Sequence, residues 1–409
     1  MPYPKFLWIV LLVLFGMPAR AQDAALPDGL VVAWVAEDGM LAQVGQGAAL
    51  PVPTAGLVVD IAVAPDGQHI ALTSAEDLRL PLELWSVGVD GASLQRLVAQ
   101  DGLAASADDP AYIANVVWLD ATTILFSTVH QGSFGLQPQD DLWRADIDSG
   151  AVARLLPSGE GGQFSVSPDR QQVLVITAGA YGAADGRISL LDARTGGLSD
   201  LFTFPAVSTA SEYRFYPQVF WDADSTAVHV AIPDKDLVYD DVNSPPVALW
   251  RLDIDGEPAQ IGAVPASFFG LPQWSDDGAY LLYLQRLGAA TSNQFALLVA
   301  DGNGEDTTTM TTGEAGSFGT PTWIPGSTQF VYAQSEPGAH RLASPGASLR
   351  LLPEPMFNLK VVPGGIVYAS AQAAPYELRY LHMDDLVSLP IATVNNLYPV
   401  FDGIVVGDG

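Results

Sequence analysis

The chain has 409 residues, of which 49% are apolar and 15% charged, a composition that supplies a core and excludes a disordered chain. Its 46 acidic residues outnumber 17 basic ones. Such a surface repels nucleic-acid phosphates and anionic lipid headgroups, so we expect no nucleic-acid partner and no membrane insertion. The chain contains no cysteine, which excludes a disulfide framework, a thiolate metal site and a lipid-modified cysteine.

The amino terminus has the layout of a secretory signal peptide. A lysine and an apolar run over 5–15 precede an Ala-Arg-Ala cleavage site at 19–21, and the run is too short to span a bilayer. We predict that 1–21 is removed and that 22–409 forms a single domain, exported to the periplasm or the cell exterior as a monomer. The exported chain then carries 46 acidic and 15 basic residues, a net charge of −31.

A turn followed by an apolar run recurs along the whole chain. The intervals between successive turns run from 37 to 55 residues, a period typical of an array of supersecondary units. The matching segments are "VAPDGQHIALTS" (63–74), "VWLDATTILFST" (117–128), "VSPDRQQVLVIT" (166–177), "FWDADSTAVHVAI" (220–232), "QWSDDGAYLLYL" (273–284), "TWIPGSTQFVYA" (322–333) and "VVPGGIVYAS" (361–370).

A second signature follows inside each unit: an apolar strand, often ending in Trp, and then a hairpin turn, as in "LELWSVGVDG" (82–91) and "VALWRLDIDG" (247–256). Each unit therefore reads as four antiparallel strands. The second strands are apolar on both faces, which indicates that each sheet lies between two others, as propeller blades do. The last strands carry Pro and suit an exposed outer edge. We interpret the recurring tryptophans as core residues between blades; they are Trp118, Trp221, Trp274 and Trp323 in first strands and Trp85, Trp143 and Trp250 in third strands.

The two ends of the chain complement each other. Residues 30–54 supply strands two, three and four of a unit, and 395–401 supply a first strand. Joining them closes a ring of eight blades. Seven blades is the alternative, if the degenerate units at 316–353 and 357–393 merge. The prediction is an all-β propeller of four-stranded antiparallel blades, closed by its N- and C-terminal strands.

The "S/A-P-D-G" turn after a first strand that ends in Trp, with "L-W-x-x-D-x-D-G" about 20 residues later, resembles the TolB-like (WD-repeat-like) β-propeller repeat. The resemblance covers nearly all of 22–409 and implies the architecture. Relatives include periplasmic scaffolds and the propeller domains of prolyl-oligopeptidase-type enzymes, so the resemblance transfers no activity.

Long connections follow the second and fourth strands, whereas tight turns follow the first and third. In a propeller such long loops gather on one face, where function commonly lies. The loops are 99–112, 129–141, 205–217 and 233–246. The predicted binding residues on and beside them are Asp109, Tyr112, His130, Asp140, Asp141, Tyr216, Lys235, Tyr239, Asp240 and Asp241.

Catalytic motifs are absent from the sequence. It has no G-x-S-x-G nucleophile elbow and no two of its five His residues are close together. We therefore predict no catalytic residue, metal ligand or cofactor, and favour a non-catalytic protein that binds a protein, peptide or glycan partner in the cell envelope. The alternative is a metal-assisted lyase or hydrolase at the channel mouth that uses His130, Asp140, Asp141 or Asp109, with a chelator-sensitive activity.

Overall fold

The computed structural model describes residues 25–37, 39–53, 56–75, 82–103, 110–132, 135–209, 213–235, 245–265, 270–289, 292–314, 317–334, 339–347, 349–396 and 399–407. The predicted signal peptide lies outside these ranges. Within them, no helix is long and apolar enough to cross a membrane.

The described residues form 33 β-strands. In chain order they are β1 (Leu30–Ala36), β2 (Gly39–Val44), β3 (Leu50–Val52), β4 (Leu57–Val63), β5 (His69–Ala75), β6 (Glu83–Gly88), β7 (Gln95–Val98), β8 (Tyr112–Trp118), β9 (Thr123–Gly132), β10 (Gly135–Pro138), β11 (Leu142–Asp146), β12 (Val152–Leu156), β13 (Gln163–Val166), β14 (Val173–Thr177), β15 (Gly186–Leu191), β16 (Leu198–Phe204), β17 (Val219–Trp221), β18 (Ala227–Ile232), β19 (Val247–Asp253), β20 (Ala259–Val264), β21 (Gln273–Trp274), β22 (Tyr280–Arg286), β23 (Gln294–Asp301), β24 (Thr308–Glu314), β25 (Thr322–Trp323), β26 (Phe330–Ala333), β27 (His340–Ala343), β28 (Arg350–Leu351), β29 (Phe357–Val362), β30 (Gly365–Ala369), β31 (Tyr376–His382), β32 (Ser388–Val394) and β33 (Phe401–Val405).

These strands form eight antiparallel sheets, which confirms the eight-bladed propeller. Blades 1 to 7 are β4–β7, β8–β12, β13–β16, β17–β20, β21–β24, β25–β28 and β29–β32. Blade 2 has an additional short strand, β10, which continues the hairpin from β9. The degenerate units at 316–353 and 357–393 are separate blades, so the seven-bladed alternative is wrong.

Blade 8 closes the ring, with the strand order β3-β2-β1-β33. The C-terminal strand β33 supplies the first strand and pairs with β1 from Leu30↔Val405 to Trp34↔Phe401. The predicted closing strand at 395–401 is therefore misplaced, and the strand begins at its last residue. The ring nitrogen of Pro399 carries no hydrogen to donate to a ladder, so regular pairing starts after it.

Eight apolar clusters among the described residues hold the blades together, one between each pair of neighbours. The second strands supply much of this core, and every side chain of β18 and β30 is buried. Three first-strand tryptophans donate an indole hydrogen bond to the first strand of the preceding blade. These bonds run from Trp118 to the Ala62 carbonyl, from Trp221 to the Ser165 hydroxyl and from Trp323 to the Gln273 carbonyl, each at 3.0 Å.

The tight turns lie on one face of the ring, the turn face, and the long connections lie on the opposite one, the loop face. In the first turns of blades 1 and 5 the backbone reaches a φ of 67° at Gly67 and 66° at Gly278, the left-handed region that Gly adopts freely. The Asp66 and Asp277 carboxylates accept backbone hydrogen bonds from two residues further on, which fixes each turn.

Candidate functional site

The long loops meet on the loop face between blades 2, 3 and 4. The Ser208 amide, in the loop after β16, donates to the Lys235 carbonyl, in the loop after β18, at 3.0 Å. Two other side chains of the loop after β16, Arg214 and Tyr216, contact Asp140 in the loop before β11. The described parts of the predicted loops 129–141, 205–217 and 233–246 are therefore joined to one another by these contacts, and much of 129–141 is strand, in β9 and β10.

Asp140 lies at the centre of this surface, and only 6% of it is exposed. Its Oδ1 accepts a hydrogen bond from the Tyr216 hydroxyl at 2.5 Å, and its Oδ2 accepts one from Arg214 Nη1 at 3.0 Å. Its backbone carbonyl accepts from the amides of Gly159 and Gly161. The loop after β16 thus holds the side chain of Asp140, and the loop after β12 holds its main chain.

The electrostatics of this cluster are those of a shielded carboxylate. Burial raises the pKa of Asp140, while the Tyr216 hydroxyl and the Arg214 guanidinium act in the opposite direction. Burial, together with the hydrogen bond to Asp140, also raises the pKa of Tyr216. Asp140 has a φ of 49°, which is uncommon for a residue other than Gly, and such backbone conformations concentrate at binding sites.

A cavity of about 280 Å³ opens at this cluster. Most of its walls are planar polar or aromatic groups: the Asp140 carboxylate, the Arg214 guanidinium and the rings of Tyr213 and Tyr216. The remaining wall is formed by side chains of blades 2 and 3, namely Gln137, Pro138 and Gln163. A concave site with a few converging polar groups is the usual form of a small-ligand site.

Asp141, although adjacent to Asp140 in the chain, has a structural role. Only 1% of it is exposed, and its carboxylate accepts from the Thr128 amide (2.8 Å), the Thr128 hydroxyl (2.7 Å) and the Trp143 indole (2.7 Å). Blade 1 repeats the arrangement: Glu83 accepts from the Ser74 hydroxyl and the indole two residues further on. An acid that recurs in this position fixes the second strand to the third, which leaves Asp141 no free oxygen for a ligand.

The other predicted site residues divide between described and undescribed parts of the chain. Tyr112 begins β8 and is half-buried. His130 is half-buried on β9, opposite the cavity residue Gln137. Lys235 reaches the loop face and is exposed. Asp109, Tyr239, Asp240 and Asp241 lie outside the described residues.

Sequence reasoning missed Arg214, Tyr213 and the two glutamines of the cavity. A usable signal was present for Arg214, because it is one of only 15 basic residues in the predicted exported chain and lies in a long loop. Its partner Asp140 is 74 positions away. Spacing along the chain therefore gave no indication that the two side chains meet.

Sequence reasoning also missed a second cavity, of about 380 Å³, between the first strands of blades 1, 2, 7 and 8. Lys360 Nζ lies 2.8 Å from Asp402 Oδ1, and Asp402 Oδ2 accepts from the Val63 amide. Asp60 contacts solvent in the channel. The surrounding strands still partly desolvate its carboxylate, which raises its pKa; Asp402 adds to the rise and Lys360 opposes it.

Metal-ion ligands do not come together within the described ranges. No group of three or more His, Asp or Glu residues there is arranged to hold a metal ion. Of the four residues predicted for a metal-assisted reaction, Asp140 and Asp141 are each occupied by protein donors, and Asp109 lies outside the described residues.

Comparison with known proteins supports the fold and leaves the activity open. No family model matches the chain, and no curated protein matches it in sequence. Among solved structures, it is similar to a eukaryotic initiation factor, with a TM-score of 0.55, 12% identity, and coverage of 91% of this chain and 85% of that one. An oligogalacturonate lyase in complex with manganese matches with a TM-score of 0.50, 15% identity, and coverage of 83% and 86%. Identities this low show the architecture alone.

TolB from Acinetobacter baumannii is also among the matching structures, with a TM-score of 0.37, 15% identity, and coverage of 86% of this chain and 68% of that one. Of the predicted resemblance to TolB-like repeats, only the eight-bladed propeller architecture is shown, and the strand topology shows it.

Proposed function

We propose that this protein is a non-catalytic binding module of the cell envelope, which binds a protein, peptide or glycan partner through its loop face. The observation that carries the proposal is the junction of Asp140, Arg214 and Tyr216. It joins loops of two blades around a cavity, on the face where the long connections gather. Binding residues are commonly placed on loops above a rigid scaffold, and eight interlocked blades supply one.

The exposed side chains around the cavity suit recognition. Tyr213 is 49% exposed, and Leu136 on the neighbouring strand β10 is 39% exposed. The Arg214 side chain is 57% exposed. Tyrosine and arginine are the residue types that contribute most to binding energy at interfaces, because each combines a large contact area with hydrogen bonding.

Export of this protein is part of the same proposal and rests on the signal-peptide pattern at 1–21. N-terminal sequencing of the protein recovered from cells tests it. We expect the chain to begin at Gln22. An N-terminus at Met1 on cytosolic protein would contradict export.

The binding proposal is tested with tagged 22–409 as bait in a crosslinked cell-envelope fraction, beside the same chain with 233–246 replaced by a short Gly-Ser link. A Leu94→Ala variant is the matched control, because Leu94 lies in a tight turn on the opposite face and is 37% exposed. We expect a partner that the intact and Leu94→Ala baits recover and the loop-replaced bait loses.

Two results would overturn the proposal. One is a partner that all three baits recover equally, which would show that the loop 233–246 takes no part in binding. The other is a chelator-sensitive lyase or hydrolase activity of 22–409 that disappears in His130→Ala, which would make the protein a metal-assisted enzyme.

A further inference from the structure

We propose that the Asp140 cavity binds one ring of a neutral saccharide chain. This inference rests on the proposed function and names the ligand class for its site. It follows from three properties of the cavity: its charge, the state of its hydrogen-bonding groups and its shape.

The charge of the cavity disfavours ionic ligands. The Arg214 guanidinium is paired with Asp140, and Asp141 lies directly behind, so no net positive charge is available to an anion. The predicted exported chain, at a net charge of −31, repels anions further. A cation at Asp140 would lie beside the paired Arg214 guanidinium, which repels it, and the Asp141 carboxylate is 1% exposed.

The hydrogen-bonding groups that are left over suit neutral hydroxyls. The Arg214 guanidinium donates to Asp140 through Nη1, and its side chain is 57% exposed and lines the cavity. The side-chain amides of Gln137 and Gln163 make no hydrogen bond to another residue in the described part of the chain, and both line the cavity. Each of these three groups is planar and offers two adjacent polar atoms. Neighbouring sugar hydroxyls, which both donate and accept, pair with such two-pronged groups.

The shape of the cavity agrees with a sugar ring. Tyr213 is 49% exposed at its rim and presents an aromatic surface to the C–H face of a pyranose. At about 280 Å³ the cavity lies just below the range of about 300–1,000 Å³ for small-ligand sites, which suits one ring of a longer chain. A peptide added as a strand would need the free edge of β10, where Pro138 has no N–H to donate.

The test probes an array of neutral oligosaccharides with 22–409; the array holds maltohexaose, cellohexaose, xylohexaose and chitohexaose. Oligogalacturonate and a library of random peptides are probed beside them. Calorimetry then measures the binding of each hit. Tyr213→Ala removes the aromatic surface, and Arg214→Lys removes the planar guanidinium but keeps its charge. Tyr181→Ala is the matched control, because this tyrosine is exposed on the same face but does not line the cavity.

We expect at least one neutral saccharide to bind. Tyr213→Ala should weaken that binding by about 10-fold, the effect of one lost aromatic contact, and Tyr181→Ala should leave it unchanged. Arg214→Lys provides a second reading if Tyr213→Ala unfolds at a lower temperature than the parent chain. A failure of all neutral saccharides to bind would overturn the inference. Binding of oligogalacturonate or a peptide with the same Tyr213 dependence would overturn it too, while the loop-face proposal would stand. Absence of any partner in the envelope bait experiment would remove both.

Discussion

Replacing Asp141 with Ala tests whether this buried acid holds blade 2 together, as its three hydrogen bonds indicate. The substitution leaves the Thr128 amide and the Trp143 indole without their acceptor in an environment where Asp141 is only 1% exposed. A hydrogen bond to a charged group contributes roughly 1.5–3 kcal/mol, and an unpaired buried donor costs a similar amount. We therefore expect Asp141→Ala to lower the free energy of unfolding by about 3–5 kcal/mol.

The matched control is Glu83→Ala in blade 1. Glu83 occupies the equivalent position, but its side chain is 21% exposed. The Trp85 indole that it accepts from also donates to the Ser74 hydroxyl at 3.1 Å, so the indole keeps a partner after the substitution. The expected cost is about 1 kcal/mol.

Guanidinium chloride denaturation followed by tryptophan fluorescence measures both variants. Equal losses for Asp141→Ala and Glu83→Ala would refute the reasoning, as would a loss below about 1 kcal/mol for Asp141→Ala. Either result would show that the number of buried hydrogen bonds does not determine the stability of the blade.

Two further predictions concern ionisation. Tyr216→Phe removes the hydroxyl that donates to Asp140. Because this hydrogen bond favours the charged carboxylate, the pKa of Asp140 should rise further in the variant. An unchanged or lower pKa in a carboxyl-carbon NMR titration would show that the reasoning is wrong. Asp60 has a folded-state pKa above its ordinary value of 3.8, so its contribution to stability decreases as pH rises through the window above that value. Asp60→Asn removes this decrease. In a denaturation series, the free energy of unfolding of the variant minus that of the parent chain should therefore increase as pH rises from 4 towards 7. A difference that stays constant or falls would contradict this.

The repeat architecture was predictable because its signals are local and recur. Trp118 and Trp274 end first strands and are 2% exposed, as equivalent core positions between blades require. The double-sided burial of β14 could likewise be predicted from "VLVIT" alone. Where the local signal was weak, the boundary moved: the closing strand starts at Phe401, shortly after Pro399, which has no N–H to pair.

The candidate site was predictable only in part, because it is made by loops that meet across blades. Tyr216 and Asp140 were both predicted, yet the sequence could not show that they bond to each other across 76 positions. Asp141 looked equally suited to a site, and only its three protein donors reveal that it is structural. His130 was also predicted; it lies on β9 opposite the cavity residue Gln137, but it is not one of the groups that hydrogen-bond to Asp140.

Site-specific photo-crosslinking tests the central claim, that the loop face is the binding surface, most directly. A benzophenone amino acid replaces Tyr213 on the loop face in one sample and Leu94 on the turn face in another; the two residues are 49% and 37% exposed. Each sample is irradiated in the cell-envelope fraction and its crosslinked protein and glycan are analysed. We predict a discrete adduct from position 213 and none from position 94. An adduct from position 94 alone, or equal adducts from both, would contradict the account.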